Sequence, residues 1–92
     1  MQKLMENEIA ARLATLPGWQ IEAEELDRAF LFADFVAALR FVNGVAELAE
    51  AAQHHPDIDI RYNRVRLRLV THDAGGLTAK DFDLAEAVNK LS

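Results

Sequence analysis

Three histidines, His54, His55 and His72, stand within nineteen residues of a 92-residue chain, and two of them are adjacent. Imidazole ordinarily titrates near pH 6.5, so a histidine can give or take a proton at neutral pH. His54-His55-Pro56 is a stiff corner, because the proline fixes the backbone directly after the pair. An isolated histidine is usually a half-exposed packing residue. Three of them at one hairpin end ask for a further reason. Such a set has two chemical uses: a catalytic zinc site, or metal-free general acid–base catalysis. Adjacent ligands on a rigid corner point in different directions, which favours the proton chemistry. Glu50 lies one helical turn before His54, where a carboxylate can orient the ring or raise its pKa.

The elements that must position these rings follow from the hydrophobic pattern. Met5, Ile9, Leu13 and Leu16 have helical spacing, closed by Pro17-Gly18. Trp19 and Ile21, then Leu26, Arg28, Phe30 and Phe32, alternate as two strands of a hairpin with a turn at Glu24 and Glu25. Asp34 is a good N-cap for a long helix with Phe35, Leu39, Val42, Ala46 and Ala49 on one stripe. That helix can run to Gln53 or His54 before Pro56 stops it. Gly44 within it points to a close approach by another element.

Ile58, Ile60 and Tyr62, then Val65, Leu67 and Leu69, alternate with charged residues on either side of Asn63, which tolerates the positive φ of a tight turn. That pairing sets residues 57 and 71 opposite each other within a couple of positions and brings His72 back beside His55, so three imidazoles converge. Thr71–Gly76 is a loop, and Gly75-Gly76 lacks a phosphate-loop pattern. Thr78 caps a last helix, with Asp81 in capping-box position and Leu84, Val88 and Leu91 as its apolar stripe. Asp81 reads as a cap rather than a catalyst. Arg61, Arg64, Arg66 and Arg68 read as the solvated face of the sheet. The expected fold is α+β: a four-stranded antiparallel sheet with three helices on one face, in a single domain spanning 1–92.

Composition narrows the functional classes. The net charge of −5 argues against direct nucleic-acid or anionic-membrane binding. With no cysteine there is no disulfide framework and no thiolate zinc site. The first residues lack the apolar core of a signal peptide, and no apolar run is long enough to span a membrane, so a soluble cytoplasmic protein is expected. A chain this short has a thin stability margin, and oligomerisation is an attractive source of further burial.

Glu50 followed by His54-His55-Pro56, then Tyr62-Asn63-Arg64-Val65, Thr71-His72 and Gly76-Leu77-Thr78 with Asp81 beyond, resembles the pterin-4a-carbinolamine dehydratase family. Gly18-Trp19 and Asp34-Phe35 also fit, so the likeness covers Leu16 to Leu91. The resemblance implies dehydration of 4a-hydroxytetrahydrobiopterin, the product of aromatic amino-acid hydroxylases, to quinonoid dihydropterin and water. It implies a four-stranded antiparallel sheet under three helices, a homodimer or homotetramer, and no metal or cofactor. By position, His54 and His72 would be the acid–base pair, and His55 would bind or orient the pterin. Glu50, Gln53, Pro56, Thr71 and Asp73 would line its pocket. Animal members carry tryptophan where this chain has Ile58, which alters the expected pocket wall.

Two other functions are compatible with parts of this pattern. The family doubles in animals as a dimerisation cofactor of a homeodomain transcription factor, and the long helix near Phe35–Ala49 would then be the binding element. Retention of all three histidines favours catalysis over that role. A three-histidine zinc hydrolase is the other, and metal analysis separates it.

Overall fold

Alternation of apolar and charged residues builds the sheet. In the computed structural model, which describes residues 2–91, the strands are β1 (Gln20–Glu22), β2 (Glu25–Leu31), β3 (Asp57–Arg61) and β4 (Arg64–Leu69). They form one antiparallel sheet in the order β1-β2-β4-β3. Helices α1 (Glu6–Ala14), α2 (Phe35–Ala52) and α3 (Ala79–Asn89) complete the expected α+β order, with a 3₁₀ turn at His72–Ala74. Met1 and Ser92, the ends of the expected 1–92 domain, lie outside the described residues.

Cross-strand partners share a face. Leu26 pairs with Leu69, Phe30 with Val65 and Ile58 with Leu67, so the apolar parity of every strand faces one side. There the core closes: Leu26, Phe30, Val65, Leu67 and Leu69 pack with Ala38, Phe41, Val45 and Ala49 of α2 and Phe82, Leu84, Ala85 and Val88 of α3. Each fully buried large side chain contributes about 1.5–3 kcal/mol. The other parity, with Arg64, Arg66, Arg68, Asp27 and Asp59, forms the face away from the helices.

Several local expectations need correction. The buried stripe of α2 is Ala38, Phe41, Val45 and Ala49, rotated from the expected Phe35, Leu39, Val42, Ala46 and Ala49. This helix is apolar on more than one side, and the aromatic cluster decides its rotation. Phe41 sits 4.6 Å from Phe30 and 4.9 Å from Phe32, ring centre to ring centre, while Phe35 stays exposed. Asp34 caps α2 as expected, accepting from the Ala37 amide at 2.8 Å. Gly44 makes room for Leu91, whose Cδ1 lies 3.2 Å from where a Cβ would stand. Leu91 therefore packs beyond the end of α3 and remains half exposed instead of completing that helix's stripe.

The turns also differ in detail. The first hairpin turns at Ala23-Glu24, with φ of 51° and 65°, and Glu25 already belongs to β2. Two left-handed residues match the twist of the flanking strands better than a wider bend would. In the second hairpin the positive φ falls on Tyr62, at 52°, not on Asn63. Asn63 is used differently: its side-chain amide donates to the Phe32 carbonyl at 2.9 Å and its own carbonyl accepts from Phe32 N–H at 2.8 Å. It ties the hairpin to the end of β2.

Candidate active site

The end of α2 delivers the histidine pair. Gln53 adopts a left-handed conformation (φ 53°, ψ 40°), and His54 N–H then reaches back to the Ala49 carbonyl at 3.1 Å. That six-residue return is the Schellman closure, usually made with glycine at the left-handed position. It turns the chain sharply, so His54 heads inward and His55 outward. His54 retains 10% side-chain exposure, whereas His55 retains 62%.

The hairpin register brings Thr71 to the same place. Asp57 pairs with Arg68, not with a residue near 71 as expected. A two-residue turn at Tyr62-Asn63 sets this register, and His54 and Thr71 lie just beyond its open end. Both then meet one carboxylate.

That carboxylate is Asp81, with no exposed side-chain surface. Its Oδ1 lies 2.5 Å from His54 Nε2, and its Oδ2 accepts from Thr71 Oγ1 at 2.8 Å and from Thr78 N–H at 2.9 Å. Thr78 Oγ1 stands 2.8 Å from Thr71 Oγ1 and accepts from Lys80 N–H at 3.3 Å. A carboxylate only accepts, so the protons run one way: Lys80 N–H to the Thr78 hydroxyl, that hydroxyl to Thr71, and Thr71 to Asp81. His54 likewise places its Nε2–H on the carboxylate, so Nδ1 is the ring nitrogen turned away from Asp81. No buried side-chain polar atom among the described residues lacks a partner.

Asp81 is the residue the sequence reading undervalued. It is the expected capping-box residue of α3, yet capping occupies one oxygen and leaves the other for His54. Its spacing from Thr78 signals only the cap; no spacing signals a contact with a residue twenty-seven positions earlier. Glu50, expected beside His54, instead meets His55 Nε2 at 2.5 Å in an exposed pair. The Gln53 turn causes the exchange, because it rotates His54 away from the α2 face that carries Glu50.

His54, Thr71 and Asp81 are thus brought together, and His55 joins Glu50. Gln53 donates through Nε2 to the Glu50 carbonyl at 3.2 Å. Pro56 is half buried at the corner. His72 and Asp73 follow Thr71 in the 3₁₀ turn, exposed, and their side chains make no hydrogen bond among the described residues. Among those residues no group of three His, Cys, Asp or Glu side chains is arranged to hold a metal ion.

Residues 2–91 match the family described as Pterin 4 alpha carbinolamine dehydratase. The chain belongs to that family. It is 62% identical over 91 residues to a protein of Acidobacterium capsulatum provisionally named pterin-4-alpha-carbinolamine dehydratase, covering 99% of each chain. A Chloroflexus aurantiacus protein with the same provisional name is also 62% identical, over 99% of this chain and 98% of that one. The crystal structure of a transcriptional coactivator/pterin dehydratase from Brucella melitensis superimposes with a TM-score of 0.94 at 37% identity, covering 98% of both chains. A pterin dehydratase-like RuBisCO assembly factor of the alpha-carboxysome shares the fold, with a TM-score of 0.65 at 23% identity over 79% of this chain and 84% of that one. In this member of the family, the cluster above is built by the end of α2, the start of the 71–77 loop and the first turn of α3.

Proposed function

We propose that the protein dehydrates pterin-4a-carbinolamine, 4a-hydroxytetrahydrobiopterin, to quinonoid dihydropterin and water by histidine general acid–base catalysis. The observation that carries this reading is the buried Asp81 carboxylate holding His54 Nε2–H. A fixed tautomer leaves Nδ1 to exchange a proton with substrate, as a positioned base or its conjugate acid requires. In the reaction the C4a–O bond breaks as an acid protonates the leaving hydroxyl. A base takes the N5 proton, and the freed N–H electron pair forms the N5=C4a double bond. His54 and His72 are the proposed pair, with His55 orienting the ring and Glu50, Gln53, Pro56, Thr71 and Asp73 lining it. There is no redox step, so the proposal needs neither metal nor cofactor. Recycling the pterin of an aromatic amino-acid hydroxylase in the cytoplasm is the proposed setting.

A homodimer or homotetramer is proposed with it. Ile58 and Ile60 on edge strand β3, and Phe35 and Val36 at the start of α2, are exposed apolar side chains in a small chain that gains from further burial. The alternative, a non-enzymatic binding partner of a transcription factor, draws on the coactivator half of the Brucella relative's name. Such a role makes no use of the Asp81–His54 contact.

Dehydration of freshly generated carbinolamine by wild type, His54→Ala and His72→Ala tests the proposal. Each substitution is expected to slow turnover by about 10²-fold with the fold retained by circular dichroism. A His54→Ala rate equal to wild type would remove His54 from the chemistry and the proposal with it.

A further inference from the structure

The loop that carries His72 is anchored at both limbs. On entry, the Thr71 hydroxyl is bound to Asp81 and Thr78. On exit, Gly76 returns opposite Thr71 in an isolated antiparallel bridge, with N–H to carbonyl distances of 3.2 and 3.3 Å. Gly75 between them takes φ of 77°. His72 and Asp73 at the tip have no side-chain hydrogen bond among the described residues, so where they stand is set by the path of the loop backbone.

The exit limb rests in turn on the segment before α1. Leu4 N–H donates to the Leu77 carbonyl at 2.8 Å, and Leu4 packs against the core. The aliphatic stem of Lys3 crosses Gly76, where a Cβ would come within 2.6 Å of Lys3 Cε and 3.2 Å of its Cγ. Gly75 and Gly76 therefore serve different needs. The first supplies a left-handed φ in open space, and the second supplies room for Lys3.

We propose that Lys3-Leu4 is a positioning strap for His72, fixing the exit limb so that the loop presents its imidazole to the substrate. The proposal rests on the dehydratase reading of the site and extends it to residues that do not touch substrate. His54 arrives on α2 and meets the exit limb only indirectly, through Asp81 and its bonds to Thr71 and Thr78, so loss of the strap moves His72 more than His54.

Leu4→Pro removes the N–H, while Leu4→Ala keeps it and removes the packing. In the full chain, Leu4→Pro is expected to lower kcat about tenfold below Leu4→Ala. The His72 ring resonances should shift or broaden by NMR, and by more than those of His54. Equal rates for the two variants, with His72 resonances as in wild type, overturn the strap. Should Leu4→Pro fail to fold, amide exchange in the wild type decides: protection of Leu4 N–H alongside Thr71 and Gly76 supports the strap, and exchange at the rate of an unstructured peptide overturns it. A wild type without dehydratase activity ends the enzymatic reading, while the His72 resonances still test the strap by themselves.

Discussion

Two aspartates are equally hidden and are matched to opposite kinds of partner. Asp81, with no exposed surface, meets an imidazole, a hydroxyl and a backbone amide. Asp27, 1% exposed, lies on the face away from the helices under two guanidiniums. Arg66 clamps it with two forks at 2.9 and 2.8 Å, and Arg68, directly opposite in register, adds a contact at 3.2 Å. This corrects the reading of that face as merely solvated: Arg66 and Arg68 roof a buried carboxylate that the alternation pattern does not announce. A guanidinium stays charged, and the Asp27 hydrogen bonds raise the Arg66 pKa above its ordinary value. Stability from a raised basic pKa is fully present below the unfolded value and is lost only as pH climbs through the folded one. An imidazole can also give or take a proton near neutral pH, which a guanidinium does not, so the two buried carboxylates hold partners of different chemistry.

The sharpest way to break this contrast is Asp81→Asn. The asparagine carbonyl can still accept from Thr71 and Thr78, which leaves its NH₂ facing His54 Nε2. His54 would then have to accept there and carry its proton on Nδ1, the nitrogen proposed to exchange with substrate. The expected loss in kcat is about 10²–10⁴-fold, with a smaller loss of stability. A rate close to wild type would mean that the His54 tautomer is irrelevant to turnover.

Asp27→Ala is the matched substitution on the other face. Its two arginines keep access to water, so the change removes a buried set of charge-assisted hydrogen bonds without stranding a charge in the core. A fall in Tm of about 5 °C with kcat unchanged is expected, read by thermal melts and the dehydration assay. A fall in kcat without a fall in Tm would show that the two faces are not independent.

How much of this was legible beforehand differs between the regions. Strand parity, the element order, the Asp34 and Thr78 caps and the Pro56 stop all follow from local rules that act within a few residues. The histidines stood out as candidates because their type and crowding are visible in one dimension. The partner of His54 was not. Whether Glu50 or Asp81 faces that ring depends on a left-handed Gln53, which is an ordinary helix former by composition, and on a hairpin register fixed by the length of one turn. Likewise the rotation of α2 was settled by Phe41 meeting Phe30 and Phe32, a contact between elements and not a property of the helix.

The approach to each carboxylate supplies the smallest and most local test. Asp27 is carried by a strand whose ladder neighbours are regular, whereas His54 is carried past a non-glycine residue in the left-handed region. That conformation costs a side-chain-bearing residue about 1–2 kcal/mol, and the exposed Gln53 Nε2 bond to the Glu50 carbonyl, at 3.2 Å, offsets little of it. Gln53→Gly should relieve the strain and raise stability by about 0.5–1 kcal/mol after the larger unfolded-state entropy of glycine is counted. If the glutamine also lines the pterin pocket, KM should rise while kcat, proposed to depend on His54 held by Asp81, changes less. Loss of stability in this variant would mean that the side chain, and not the closure through His54 N–H and Ala49, sets the end of α2. The orientation of His54 would then depend on a surface hydrogen bond and could not be as fixed as the Asp81 contact requires.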